Sequence, residues 1–144
     1  MQNFSYIIGD EKTRETLVID VGWDADKLID ISKNEKLEIK KIVLTHCHYD
    51  HVQKVDELAS KTNSDVYFHE EDSNEIKKSI KNPNIKIHKL KNNDEIKIGN
   101  TKVKVIHTPG HTSGAICLLA KNKLLTGDTL FVNAIGRTDL PGGD

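Results

Sequence analysis

Apolar residues recur along this chain with two different periods. Residues 4–8 and 16–21 are short apolar runs separated by the polar stretch 9–13, the pattern of a hairpin or meander. Asp24 then reads as a helix N-cap. Trp23 before it and Leu28 after it are placed for a hydrophobic staple, and the helix runs to about Asn34 with Leu28 and Ile31 facing the core. Residues 41–44 form a β-type run. A second helix begins near His51 and keeps Val52, Val55, Leu58 and Ala59 at helical spacing. Residues 65–69 predict the next strand. Glu70, Glu71 and Asp72 put negative charge in the first turn of a third helix, where the dipole favours it, and Ile76 and Ile80 supply its i, i+4 apolar pair. Residues 85–91 read as extended. Residues 96–98 and 101–107 flank Gly99-Asn100 as a β-hairpin, with Val103 and Val105 on one face and Lys102 and Lys104 on the other. A last hairpin joins 115–120 to 123–126 around Lys121-Asn122. A β-rich start, a helix–strand middle and a β-rich end predict an α/β (α+β) domain of two sheets covered by helices.

Composition adds limits. At 144 residues, 1–144 reads as a single domain, and 36% hydrophobic with 30% charged residues is the balance of a soluble globular protein. Lys and Arg number 21 against 22 Asp and Glu, so nothing electrostatic points to nucleic acid or an anionic membrane as partner. No apolar run reaches the roughly 20 residues of a membrane helix, and the N-terminus lacks the basic start and apolar stretch of a signal peptide. The expectation is a cytoplasmic protein. Its two cysteines, Cys47 and Cys117, do not make a disulfide framework, and Cys117 reads as core.

The candidate chemistry sits at three predicted strand ends, where a rigid sheet presents functional loops. The first is Thr45-His46-Cys47-His48-Tyr49-Asp50-His51. An extended segment aims His46 and His48 to one side and Cys47 away from them, while Asp50 and His51 follow where the chain turns into a helix and serve a neighbouring point. The second is His107-Thr108-Pro109-Gly110-His111-Thr112-Ser113-Gly114, in which Pro109 and Gly110 permit a sharp turn just before His111. His107 there reads as an end-of-strand residue in preference to a ligand. The third is Thr126-Gly127-Asp128-Thr129. Imidazoles and carboxylates without soft sulfur suit zinc, iron or manganese.

Taken together, T-H-x-H-x-D-H, H-T-P-G-H-T and G-D-T resemble the metallo-β-lactamase-fold hydrolases, in particular the glyoxalase II-like (hydroxyacylglutathione hydrolase-like) branch. The segments 3–8, 18–22 and 136–144 look like that branch too. The resemblance implies an αββα sandwich with two adjacent divalent metal ions at one edge. By motif, His46, His48 and His111 hold the first, Asp50 and His51 the second, and Asp128 bridges them; Asp20 orients ligands from behind. The implied reaction is attack of a metal-bound hydroxide on the carbonyl of a thioester, or a related ester or lactone, with Asp50 and Asp128 in catalytic roles. Zinc is the leading metal, with iron or manganese as options. The implied partner is a small molecule, a thioester of glutathione or another thiol, with no nucleic acid or membrane and with homo-oligomers as a further expectation. Arg137 either steers an anionic substrate or pairs with Asp139 or Asp144. The pattern departs from the family at the C-terminus: relatives continue into further strand and helices with one more histidine, whereas no histidine follows His111 here, so the fold is expected to be C-terminally short. The same motifs also fit a persulfide dioxygenase with a single iron on His46 or its neighbour, His111 and Asp128, or an inactive metal-binding remnant.

Overall fold

The computed structural model describes residues 3–140 and 142–143. The first hairpin forms as the apolar runs predict: β1 (Tyr6–Gly9) pairs antiparallel with β2 (Glu15–Ile19), Ile7 opposite Val18. Parallel strands β3 (Glu38–Val43), β4 (Asp65–His69) and β5 (Ile87–Leu90) extend this into a five-stranded sheet in the order β1-β2-β3-β4-β5. The second sheet is antiparallel throughout: β6 (Glu95–Ile98), β7 (Thr101–His107), β8 (Ile116–Ala120) and β9 (Lys123–Leu125), in sequence order. A small ribbon of β10 (Leu130–Phe131) and β11 (Ala134–Ile135) follows.

The helices are α1 (Ala25–Asn34), α2 (Tyr49–Val52), α3 (Val55–Thr62) and α4 (Ser73–Ile76), the last flanked by 3-10 turns at Glu70–Asp72 and Lys77–Ser79. One core lies between helices and first sheet, where Val18, Ile42, Val66 and Phe68 meet Leu28, Val52, Leu58 and Ile76. A second lies between the sheets, where Leu17, Ile19 and Val43 meet Ile98, Val103, Val105 and Leu118. β2 is therefore buried on both faces from Thr16 to Ile19, which is why Leu17-Val18-Ile19 runs continuously apolar, and β3 is buried on both faces only at its end, Ile42-Val43, after the exposed Glu38 and Lys40. Among the described residues the layers run helix, sheet, sheet, three of the four layers of the expected αββα sandwich, and Lys102 and Lys104 look outward from the second sheet.

Three expectations about helices need correction. In α1, capped by Asp24 accepting from the Lys27 amide at 2.9 Å, the buried face is Ala25, Leu28 and Ser32, while Ile31 is 41% exposed. Trp23 is 55% exposed and is not part of the core. The second helix is broken into α2 and α3, because the Lys54 amide donates to Val21 O at 2.9 Å and ties the break to the loop after β2. The third is likewise a chain of short turns, although Ile76 and Ile80 both reach the core as expected.

Candidate metal centre

The three strand ends meet at one edge of the sandwich. After β3 the chain bends at Thr45–His46 and is extended at His48, φ −65°, ψ 145°. His46 and His48 face one side and Cys47 the other, where it packs on the first core. Burial and the negative charge of Asp72 push its thiol up to about 12. The Ile116 amide donates to Thr45 O at 2.9 Å, which binds the start of β8 to this segment. Gly127 sits at φ +49°, and a Cβ there would lie 2.5 Å from Thr45 Oγ1. Only glycine lets the chain after β9 come this close and bring Asp128 in. α2 is docked on the loop after β2 by Val21 N donating to His51 O at 2.7 Å and Asn3 Nδ2 to Asp50 O at 2.7 Å.

Four imidazoles and a carboxylate converge. His46, His48 and His111 form one group, and His46, His51 and Asp128 a second, each with ligand atoms within 4.8 Å of one another. His48 Nδ1 stands 2.8 Å from His111 Nε2. Asp128 divides its carboxylate: Oδ1 is 3.2 Å from His51 Nε2, and Oδ2 is 3.5 Å from His111 Nε2. Asp50 stands further back, Oδ2 at 3.9 Å from His51 Nε2.

Three of the rings are held from behind. His51 Nδ1 donates to Asp20 Oδ2 at 2.8 Å and His111 Nδ1 to Arg137 O at 2.8 Å. Thr45 Oγ1 gives its proton to Asp20 Oδ2 at 2.8 Å, so it accepts from His46 Nδ1 at 3.1 Å. Fixing one ring nitrogen as N–H leaves the other as a lone pair aimed into the centre, the arrangement a ligating histidine needs. His46 Nε2 is buried and finds no hydrogen-bond partner. A buried polar atom left unpaired is costly, and a cation among these nitrogens and oxygens would satisfy it, so the donor set fits a divalent metal.

Electrostatics point the same way. Burial and the neighbouring histidines drive His46 far below the ordinary imidazole range. Burial, then His111, lowers His48. Burial works against charge on His51 too, but hydrogen bonds to Asp128 and Asp20 outweigh it and raise it to about 9. Burial would raise Asp128, yet its hydrogen bond from His51 holds it below the usual carboxylate value. Neutral His46 and His48 beside an ionised Asp128 are the protonation states that metal binding requires, and a cation would take the place of the His51 proton.

The other expected residues sort cleanly. Asp20 lies behind the cluster, accepting from His51 Nδ1 at 2.8 Å and from Thr45 N at 2.7 Å. Arg137 turns its guanidinium to Asp139, with two 2.7 Å contacts, and offers the centre its main-chain carbonyl instead; a pairing with Asp144 lies outside the described residues. His107 stacks on His69 at 3.8 Å, apart from the cluster. Cys117 is buried, as expected of core. The sequence reading missed Thr45, whose only signal was its place before His46. In front of the centre opens a cavity of about 950 Å³, walled by Tyr49, Phe131, Ile135 and Leu140 and rimmed by Glu71, Glu75, Lys78 and Arg137.

A family model described as Metallo-beta-lactamase superfamily matches residues 1–144. The chain belongs to that superfamily. Among curated members it is 35% identical over 134 residues to "Probable polyketide biosynthesis zinc-dependent hydrolase PksB" of Bacillus subtilis, covering 93% of this chain and 58% of that protein. It is 32% identical over 157 residues to "Hydroxyacylglutathione hydrolase GloC" of Haemophilus influenzae, covering 99% and 73%. Among solved structures, ETHE1 from Myxococcus xanthus superposes with a TM-score of 0.84 at 29% identity, covering 99% of this chain and 59% of that one. TTHA1623 in a di-iron-bound form superposes with a TM-score of 0.82 at 26% identity, covering 99% and 75%. No helix among the described residues is long and apolar enough to cross a membrane.

Proposed function

We propose that this metallo-beta-lactamase superfamily member is a glyoxalase II-like thioester hydrolase using two divalent cations. His46, His48 and His111 would hold one, Asp50 and His51 the other, with Asp128 shared. The observation that carries this reading is the divided Asp128 carboxylate, one oxygen toward His51 and the other toward His111. A single-metal centre would leave His51 without a task, yet Asp20 holds that ring as firmly as the others are held. The two irons named for TTHA1623 support two ions, the zinc named for PksB supports zinc as the metal, and the imidazole and carboxylate donors suit zinc, iron or manganese. GloC supports a glutathione or similar thioester as substrate.

When bound, such cations would lower the pKa of a bound water toward neutrality and polarise a carbonyl. The chain's own groups do the rest. Asp50 borders the cavity beside His51 and is placed to accept a proton from an attacking water. Asp20 and Thr45 keep the lone pairs of His51 and His46 aimed inward. Tyr49, Phe131 and Ile135 give the cavity an apolar wall for the acyl portion of a small molecule. The Arg137–Asp139 pair stands at the rim, where exchange of Asp139 for a substrate carboxylate would anchor an anionic thiol part. We read the chain as one domain acting in the cytoplasm.

The test is hydrolysis by the metal-loaded protein of a hydroxyacyl-glutathione thioester, simple acyl-thioesters, esters and lactones. Turnover of a thioester that is lost in His48→Ala supports the proposal. Hydrolysis of none of them, with iron-dependent oxygen uptake on glutathione persulfide, would put a mononuclear-iron oxygenase in its place.

A further inference from the structure

The turn that carries His111 is braced by residues that do not belong to the cluster. Asp72 closes the 3-10 turn Glu70–Asp72 after β4 and is only 4% exposed. Its Oδ2 accepts from Thr112 Oγ1 at 2.8 Å, and its Oδ1 accepts from the Gly114 amide at 2.8 Å. The packing is close enough that a Cβ on Gly114 would lie 2.6 Å from Asp72 Cγ. Ser113, between these two, is held by a second route: His107 Nε2 donates to its carbonyl at 2.8 Å, and the His107 ring stacks on His69 at 3.8 Å and 13°. Residues 112, 113 and 114 are therefore each tied to the segment 69–72. Asp72 also bears on the other ligand loop, because the Cys47 thiol, set between His46 and His48, faces it.

We propose that Asp72 is a positioning residue of the metal centre: by holding Thr112 and Gly114 it fixes where His111 stands relative to His46 and His48. The inference rests on the reading of those three histidines as ligands. A buried carboxylate with both oxygens occupied by partners on one turn is not interchangeable with a void, since its removal leaves a buried hydroxyl and a buried amide unpaired and free to shift. Groups that orient ligands from behind typically affect metal affinity by about 10–100-fold.

The experiment measures zinc affinity by competition with a chromophoric chelator and, in the cobalt(II)-substituted protein, the visible ligand-field spectrum. Asp72→Ala is expected to weaken binding of one cation by about 10–100-fold and to shift the cobalt bands. Asp72→Asn keeps an acceptor for the Gly114 amide and offers a donor that the rotatable Thr112 hydroxyl accepts, so it should fall closer to wild type than to Asp72→Ala. Where Asp72→Ala does not fold, Thr112→Val removes one of the two bonds at nearly constant volume and Thr112→Ser keeps it; weaker binding in Thr112→Val alone supports the proposal. Unchanged affinity and spectrum in Asp72→Ala, or equal affinities for the two Thr112 variants, overturn it, provided His111→Ala loses a cation. Should His111→Ala retain both, the ligand reading itself fails and the proposal with it.

Discussion

Asp20 holds φ +57°, a region that costs a non-glycine residue conformational energy, although aspartate tolerates it better than most. The carboxylate this strained backbone delivers accepts from Thr45 N, Thr45 Oγ1 and His51 Nδ1 at once. In Asp20→Asn one acceptor becomes a donor facing groups that themselves donate. Chelator competition should then show cation affinity lower by about 10–100-fold with an unchanged far-ultraviolet circular dichroism spectrum; unaltered affinity would mean that His51 is not a ligand. Cys47 gives a second residue-scale prediction. With its thiol pushed up to about 12, it should react slowly with a thiol reagent at pH 8 in the folded chain and rapidly in denaturant. Much of the site was legible because histidines and aspartates crowd three strand ends. Asp72 was not: in sequence it is one of three acids in a helix's first turn, and its partners lie about forty residues away, 40 to Thr112 and 42 to Gly114.

Among the elements, strands were easier to read than helices. Alternation in 101–107 and the doubly buried runs Leu17–Ile19 and Ile42–Val43 carry their own signal, whereas the break between α2 and α3 goes with two tertiary bonds to Val21, Val21 N to His51 O and Lys54 N to Val21 O, that no local pattern announces. The phase of α1 supplies a test. Leu28→Ala should cost about 2–5 kcal/mol in chemical denaturation, while Ile31→Ala, at an exposed position, should stay within about 0.5 kcal/mol. Asp10 makes the other element-scale prediction. Its carboxylate accepts from Lys12 N, Thr13 N and Thr13 Oγ1 in the first hairpin's turn and from Asn100 N and Thr101 Oγ1 in the β6–β7 turn, so it joins the two sheets. The Thr13 amide chiefly, helped by Thr101, lowers its pKa well below the ordinary aspartate value. A depressed folded value means that its contribution to stability is fully present above the unfolded value near 3.9 and is lost as pH falls through the folded one. Asp10→Asn should therefore melt lower at pH 7 and show a flatter loss of melting temperature between about pH 5 and pH 2.

At the scale of the whole molecule, two cores share β2 and β3, and the candidate centre stands where the loops leaving both sheets meet. The chain spans 58% of the length of PksB and 73% of GloC. Leu130, Phe131, Val132 and Ile135 leave an apolar ribbon exposed beside the cavity, a surface suited to substrate or to another protein chain. Because a cation would bind these residues only once they are brought together, metal and fold are linked: loading should raise the melting temperature, and a chelator should lower it, by an amount that grows with free metal concentration. Elemental analysis of the purified protein decides whether a pair of cations shares Asp128. Such a pair gives close to two zinc, iron or manganese ions per chain, falling toward one in His51→Ala. Close to one iron per chain, unaltered in His51→Ala, would contradict it.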